Sequence, residues 1–157
     1  MRLTAFTDYT LRVLMYLGLR GERLSTIGEI ARAYGISENH LMKVVHYGAR
    51  AGLLETVRGK GGGVRLGRDP AEIRIGALVR AIESDTPLVE CFDPQTSSCR
   101  IAPACALQGL LVEAREAFFR VLDRYTLADL LRPRARLATL LAPPAGARRP
   151  ATARRAR

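Results

Sequence analysis

The sequence lacks a long apolar run and a recognisable export signal. No stretch approaches the roughly 18 consecutive apolar residues that a membrane-spanning helix needs. The chain starts with Met1-Arg2-Leu3-Thr4 and passes directly into an amphipathic pattern, which is not the layout of a signal peptide. We therefore expect a cytoplasmic protein that does not associate with membranes.

Cysteine and histidine are also scarce, with three cysteines and two histidines in 157 residues. An odd number of cysteines without an export signal argues against a disulfide framework and favours a metal site or a reactive thiol. The chain has no C-x-x-C pair, and neither a nucleophile triad nor a carboxylate pair falls in a plausible pocket. These absences argue against a thiol oxidoreductase, and we expect no enzymatic activity.

The three cysteines lie close together, as Cys91, Cys99 and Cys105 in the order C-x7-C-x5-C. Structural zinc usually takes short cysteine pairs and a fourth Cys or His, and neither occurs near this segment. Thiolates are the preferred ligands of iron–sulphur clusters, and the wide spacing can surround a core larger than one zinc ion. We expect Cys105 in the first turn of a long helix, where the helix dipole favours a thiolate. A fourth ligand must then come from elsewhere, and zinc binding or plain burial of the cysteines are the alternatives.

The net charge of +10 is unevenly distributed. Residues 132–157 hold eight arginines and no acidic residue, whereas residues 1–131 carry 17 basic and 15 acidic side chains. Within the latter part, residues 43–68 have six basic side chains against Glu55 alone. A local excess of positive charge is the electrostatic signature of a surface that binds nucleic-acid phosphate.

A helix-turn-helix is predicted between residues 26 and 47. Thr26 and Glu29 form a capping-box pattern at the start of one helix, which ends at Gly35, and Ser37 is placed to cap the next. Two short helices joined by a tight glycine-containing turn are typical of this DNA-binding motif. In the second helix we expect one face to be buried, with Leu41, Val44 and Val45, and the opposite face to be open, with Asn39, His40, Lys43 and Tyr47.

A basic hairpin follows the predicted helix-turn-helix. Two β-prone runs, at 53–58 and 64–66, flank a glycine-rich tip at 59–63. A hairpin in this place is typical of the wing of a winged helix. The two motifs together predict these DNA-binding residues: Thr26, Ser37, Asn39, His40, Lys43, Arg58, Lys60, Gly61 and Arg65.

The remaining pattern completes a mainly α fold, a winged helix-turn-helix with a long dimerisation helix. Apolar spacing predicts a first helix over residues 4–20 and a long one from Ala104, whose stripe is too extensive for so small a domain to cover. We expect a DNA-binding domain at 1–84, a cluster-binding loop at 85–103, a dimerisation region at 104–131 and a disordered basic tail at 142–157.

Four segments carry a family resemblance: F-T-D-Y-T-L-R-V-L at 6–14, I-S-E-N-H-L-M-K-V-V at 36–45, E-T-V-R-G-K-G-G-G-V-R-L-G at 55–67 and E-C-F-D-P…C-R-I-A-P-A-C at 90–105. Through them, residues 1–131 resemble the IscR-like winged-helix iron–sulphur transcription regulators. The cysteine segment and Asp8 are most similar to the NsrR-type, nitric-oxide-sensitive branch of that family. The arginine-rich tail matches nothing in the family pattern.

The resemblance implies a homodimer that represses transcription at a palindromic operator in double-stranded DNA. It further implies a 4Fe–4S cluster, or less readily a 2Fe–2S cluster, held by Cys91, Cys99 and Cys105 of one chain and by Asp8 of the partner subunit. Nitric oxide would be the signal, and nitrosylation of the cluster would release the DNA.

Of two other branches of the family, the first is disfavoured by this sequence and the second stays open. IscR-type members place a histidine shortly after the last cysteine, where this chain has Leu107 and Gln108. An iron-responsive branch, the RirA type, has a similar three-cysteine spacing. An iron- or redox-responsive regulator on the same scaffold is therefore the alternative.

Overall fold

The computed structural model describes residues 3–84, 87–93 and 97–142. The elements in chain order are α1 (Ala5–Arg20), α2 (Ile27–Tyr34), α3 (Glu38–Arg50), β1 (Leu54–Val57), β2 (Gly63–Leu66), α4 (Ile75–Glu83), α5 (Ala106–Leu122), α6 (Leu127–Leu130) and α7 (Arg134–Leu140). Single turns of 3₁₀ helix lie at Glu90–Phe92 and Ala102–Ala104. The predicted mainly α winged helix is confirmed.

The first helix, α1, is the centre of the fold, and α3, β2, α4, α6 and α7 all pack against it. Thr4 caps its start by accepting a hydrogen bond from the Thr7 backbone N–H. Val13, Leu14 and Leu17 are fully buried, as the helical spacing of apolar residues predicts. Burial of such side chains stabilises the fold by about 1.5–3 kcal/mol each.

The helix-turn-helix is formed by α2 and α3. The predicted capping box is present: Thr26 Oγ1 accepts from the Glu29 N–H, and the Glu29 carboxylate accepts from the Thr26 N–H at 2.8 Å. Gly35 ends α2 in the left-handed region, with φ +65°. Leu41, Val44 and Val45 of α3 are buried, as predicted.

The two strands form an antiparallel hairpin with Leu54 opposite Leu66 and Val57 opposite Gly63. Ser25 fixes the hairpin to the segment before α2, because its N–H donates to the Val64 carbonyl at 3.0 Å and its carbonyl accepts from the Val64 N–H at 2.8 Å. A side chain at Gly62 would overlap the Val57 carbonyl oxygen. The tight tip of the wing therefore requires glycine there.

The long helix α5 is joined to the DNA-binding domain through α4. The Arg80 guanidinium lies over the Phe119 ring at 4.3 Å from its centroid and binds the Asp123 carboxylate at 3.0 Å. The Ile75 N–H donates to the Tyr125 carbonyl at 3.0 Å. At Gly76 the two helices approach so closely that a Cβ would lie 2.8 Å from the Asp123 backbone nitrogen.

Two predicted details are wrong, and one helix was not predicted. The long helix begins at Ala106 and not at Ala104, because a 3₁₀ turn occupies Ala102–Ala104, and Cys105 is thus the N-cap residue and not part of the first turn. Tyr47 is not on the open face of α3, since its ring packs edge-on against Phe6 at 5.5 Å. The short helix α7 was not expected at all.

Part of the predicted organisation falls beyond this description. The basic tail at 142–157 lies outside the described residues from position 143 onward. Within the described ranges, no helix combines the length and apolar character that crossing a bilayer requires.

Candidate DNA-binding surface and cysteine loop

The open face of α3 carries Asn39, His40 and Lys43, which are all exposed. Leu41 and Val44 are buried on the opposite face, so the orientation of α3 is fixed by the core. Side chains at these open positions are placed as those of a recognition helix that enters the major groove. The predicted exposure is confirmed, and contact with DNA remains a prediction.

Thr26 and Ser37, both predicted to bind DNA, are exposed residues that also cap helices. The Ser37 hydroxyl accepts from the His40 N–H at 3.4 Å and lies 3.0 Å from His40 Nδ1. Ser37 thereby restrains the His40 ring at the start of α3. The two hydroxyls cap the N-terminal ends of α2 and α3, and their contact with DNA remains a prediction.

The wing carries its predicted cations in two different environments. Arg58, Lys60 and Gly61 are exposed at the tip, where Gly61 has φ +83°. Arg65 is instead held between two carboxylates, with Nη2 at 2.9 Å from Glu55 Oε2 and Nη1 at 3.1 Å from Glu22 Oε2. Arg65 therefore ties the wing to the end of α1, and its charge is already balanced.

Asp8 lies in the first turn of α1, with its side chain 45% exposed. Both carboxylate oxygens bind Arg12 one turn later: Arg12 Nε donates to Oδ1 at 2.9 Å, and Nη2 lies 2.8 Å from Oδ2. This hydrogen bond raises the pKa of Arg12. Burial raises the pKa of Tyr34 to about 12, so a neutral phenol ring lies beneath Arg12, 5.8 Å away.

The same helix connects Asp8 with the recognition helix. Tyr9 lies next to Asp8 in sequence, and its ring centroid is 5.8 Å from that of His40. Phe6 contacts Tyr47 further along α3. The first two turns of α1 are thus in direct contact with side chains at both ends of α3.

The segment that contains the cysteines is tied together by polar contacts. The Glu90 carboxylate accepts from the Ser98 N–H at 2.6 Å and from its hydroxyl at 2.7 Å. These hydrogen bonds lower the pKa of Glu90. Because Glu90 precedes Cys91 and Ser98 precedes Cys99, the contact brings the neighbourhoods of two cysteines together.

Cys105 is joined to the rest of the loop by two further contacts. The Cys105 N–H donates to the Ala102 carbonyl at 3.3 Å, and the Ala102 N–H donates to the Cys99 carbonyl at 3.2 Å. Gln108 Nε2 donates to the Cys91 carbonyl at 3.1 Å. Gln108 thus connects the first cysteine to the first turn of α5.

The donor chemistry of this loop fits an iron–sulphur cluster. All three cysteines are free and partly buried, and the buried Ser97 hydroxyl has no hydrogen-bond partner among the described residues. Within the described ranges, no three His, Cys, Asp or Glu side chains are close enough together to hold a metal ion. The loop therefore supplies the thiols without holding them in a closed coordination geometry.

Three side chains at these sites are absent from the sequence-based prediction. Arg12, which binds Asp8, could have been found from its i, i+4 spacing. Glu22 binds Arg65, which is 43 positions away, and Glu83 binds Thr4, which is 79 positions away. No local signal in the sequence marks such pairs.

Comparison with known proteins identifies the scaffold. Residues 3–133 match the family model Rrf2, described as an iron-dependent transcriptional regulator. The chain is 52% identical to the HTH-type transcriptional regulator NsrR of Geobacillus kaustophilus and 49% identical to that of Bacillus subtilis, in each case over 90% of this chain and 97% of the relative.

Solved structures agree with these relatives. The structure of T. potens IscR superposes with a TM-score of 0.67 at 25% identity, covering 85% of this chain and 88% of that one. The oxidized form of Staphylococcus aureus CymR gives 0.67 at 27% identity, covering 84% and 97%. The chain belongs to the Rrf2 family and is a DNA-binding transcriptional regulator, not an enzyme.

Proposed function

We propose that this regulator is a homodimeric repressor that senses nitric oxide through an iron–sulphur cluster and leaves its palindromic operator when the cluster reacts. The observation that carries the proposal is the combination of three free thiols in one loop with an exposed carboxylate, Asp8, on the helix that contacts the recognition helix. The similarity to NsrR-named regulators over nearly the whole chain supports the choice of signal.

In the proposed dimer, Cys91, Cys99 and Cys105 hold a 4Fe–4S cluster together with Asp8 of the partner subunit. When bound, the cluster supplies iron atoms that react with nitric oxide, most readily where a carboxylate takes the place of a thiolate. The protein must exchange the Arg12 contact of Asp8 for this role. When the bond between Asp8 and the cluster is lost, the start of α1 can move. The contacts of Tyr9 with His40 and of Phe6 with Tyr47 transmit this movement to the recognition helix α3.

The dimer interface is proposed to be the outer face of α5. Leu107 and Leu110 are 59% and 61% exposed in the single chain, and Val121 is 50% exposed. Apolar side chains at this spacing form one stripe, which a second copy of α5 would cover. The pairing would place two recognition helices about 34 Å apart, one turn of DNA.

The direct test is anaerobic purification with iron and sulphide counts and an absorption spectrum, followed by titration of nitric oxide against operator binding. We expect a cluster-loaded dimer that binds a specific operator and releases it as nitric oxide is added. A metal-free or zinc-containing protein that binds the same operator equally tightly would contradict the proposal.

The second candidate is an iron- or redox-responsive repressor, which the description of the family model as iron-dependent favours. The same preparation separates the two signals. Release of the operator on iron chelation or mild oxidation, with no response to nitric oxide, would identify the second function.

The environment of Arg65 gives a prediction for the wing. Changing Glu22 and Glu55 to glutamine should release the guanidinium toward phosphate. One added phosphate contact steepens the logarithmic dependence of DNA affinity on salt by about 0.9. The measurement is fluorescence anisotropy with non-specific duplex between low and moderate salt.

The matched control replaces Glu72 and Glu113, which are exposed and form none of the ion pairs found in the described part of the chain. With glutamine at both positions, the control changes the net charge by the same amount as the test variant but breaks no ion pair of an arginine. Equal salt slopes in the two double variants would show that Arg65 gains no phosphate contact.

A further inference from the structure

The first turn of α1 is attached to the last residue of α4 by one carboxylate. Glu83 Oε1 accepts from the Thr4 N–H at 2.8 Å and from the Thr4 hydroxyl at 2.9 Å, and it also accepts a short hydrogen bond from the Thr7 hydroxyl. Thr7 is fully buried. We call Glu83, Thr4 and Thr7 the clasp.

The position of Glu83 is unfavourable within its own helix and favourable only through the clasp. A carboxylate at the C-terminal end of α4 faces the negative end of that helix dipole, whereas the start of α1 presents the positive end of another. Burial opposes ionisation of the carboxyl group, but the hydrogen bonds from Thr7 and Thr4 outweigh it, and the pKa of Glu83 is lowered. The charged form is thus retained at this junction.

The clasp lies between the two parts of the proposed cluster site. On one side, the Thr4 carbonyl accepts from the Asp8 N–H at 3.1 Å, so Thr4 fixes the backbone of the proposed fourth ligand. On the other side, the chain leaves α4 at Glu83 and reaches Cys91 eight positions later. One contact therefore joins the turn that carries Asp8 to the last residue of α4, from which the chain continues toward its own cysteines.

We propose that Glu83 is a positioning residue for the cluster, an inference that rests on the proposed function. The clasp holds Asp8 at the distance from which it can reach the loop of the partner subunit. In the dimer each cluster joins the loop of one chain to Asp8 of the other. Each chain thus gives its cysteines to one cluster and its Asp8 to the other. The clasp connects these two contributions within the chain, and it therefore links the two cluster sites.

The test uses Thr7→Val, which keeps the shape of the buried side chain and removes one hydrogen bond to Glu83. The matched control is Thr10→Val, because Thr10 is also buried on α1 but donates to the Phe6 carbonyl and not to Glu83. The readout is the rate at which the cluster absorption decays when the anaerobic holoprotein is mixed with an iron chelator. Loss of a hydrogen bond to a charged group corresponds to an increase of about tenfold in this rate for Thr7→Val.

Repeating the measurement in a chain that also carries Asp8→Ala shows whether Thr7→Val acts by positioning Asp8. If the clasp acts through Asp8, Thr7→Val accelerates decay in the wild-type chain and adds nothing to Asp8→Ala. Thr7→Ser, which keeps the hydroxyl, should decay at the wild-type rate. Glu83→Gln keeps an acceptor without the charge, and its decay rate should lie between those of the wild type and Thr7→Val. Urea unfolding of the metal-free variants checks that Thr7→Val and Thr10→Val change stability alike.

The outcomes separate this proposal from the proposed function. A rate for Thr7→Val equal to that of Thr10→Val, or an equal acceleration in the presence and absence of Asp8, overturns the role of the clasp while leaving the cluster intact. A rate for Asp8→Ala equal to that of the wild type instead contradicts Asp8 as the fourth ligand.

Discussion

Replacement of Cys105 by serine is expected to reduce operator affinity at least 100-fold, which corresponds to about 2.7 kcal/mol. Under the proposed function the thiolate is one of only three that the chain supplies, and a serine hydroxyl does not replace it as an iron ligand. Without the cluster, α1 and the cysteine loop of the partner subunit lose their connection. Affinity for non-specific duplex should stay near the wild-type value, because the cations of α3 and the wing are unchanged.

The variant should fold as well as the wild type. Cys105 is partly buried at the start of α5, and substitutions away from a packed core change stability by less than about 0.5 kcal/mol. Ala104→Ser places the same hydroxyl one residue earlier and serves as the control, which should retain the cluster and the operator affinity. Anisotropy with operator and non-specific duplex, together with urea unfolding, gives all of these quantities. If Cys105→Ser bound the operator with wild-type affinity, operator binding would not depend on the cluster.

Alanine at Gly76 should destabilise the protein by about 1–3 kcal/mol, because an overpacked contact forces the backbone to move. The added Cβ would overlap the Asp123 side chain and lie 2.8 Å from its backbone nitrogen. The end of α5 must then separate from α4, which strains the contacts of Arg80 with Phe119 and Asp123. Since α5 is the proposed dimer helix, operator affinity should fall further than the loss of stability alone predicts.

Gly109 offers a matched substitution with the opposite expected sign. It is also a helical glycine, and a Cβ there meets nothing within 4 Å. At 100° per residue it lies across the α5 axis from the stripe of Leu107, Leu110 and Val121. Gly109→Ala should therefore stabilise the protein by up to about 1 kcal/mol. Thermal and urea unfolding of the two variants provide the comparison, and equal stabilities would show that the α4–α5 contact tolerates a side chain.

The elements that were predicted correctly depend on signals between near neighbours. The capping box of Thr26 and Glu29, the left-handed end at Gly35 and the glycine-rich wing tip each involve residues only a few positions apart. The buried face of α3 follows from the period of its apolar residues. Such features are set by local backbone preference, which a single sequence records directly.

The errors have two causes, a contact between distant parts of the chain and a local 3₁₀ turn. Tyr47 lies at the border between the two faces of α3, and only the approach of Phe6 from α1 decides that its ring is covered. The ion pair of Arg65 with Glu22, 43 positions away, was not predicted, because no local signal in the sequence marks it. Cys105 precedes the helix instead of entering it, because the turn around Pro103 is 3₁₀ and delays the start of α5.

The candidate site was predicted in part for the same reason. The residue types and spacing of Cys91, Cys99 and Cys105 identify the chemistry, but a sequence does not specify how a loop is closed. The contacts of Glu90 with Ser98 and of Gln108 with Cys91 provide that closure.

The unexpected helix α7 determines where the chain can be shortened without harm. Arg134 Nη2 donates to the Leu19 carbonyl at 2.8 Å and Nη1 to the Gly18 carbonyl at 3.3 Å, which satisfies backbone groups that α1 leaves open at its C-terminal end. A polypeptide ending at residue 133, where the match to the family model stops, would lose this cap on its central helix. Removal of the arginine-rich extension should therefore begin after residue 142, so that its contribution is judged on an intact domain.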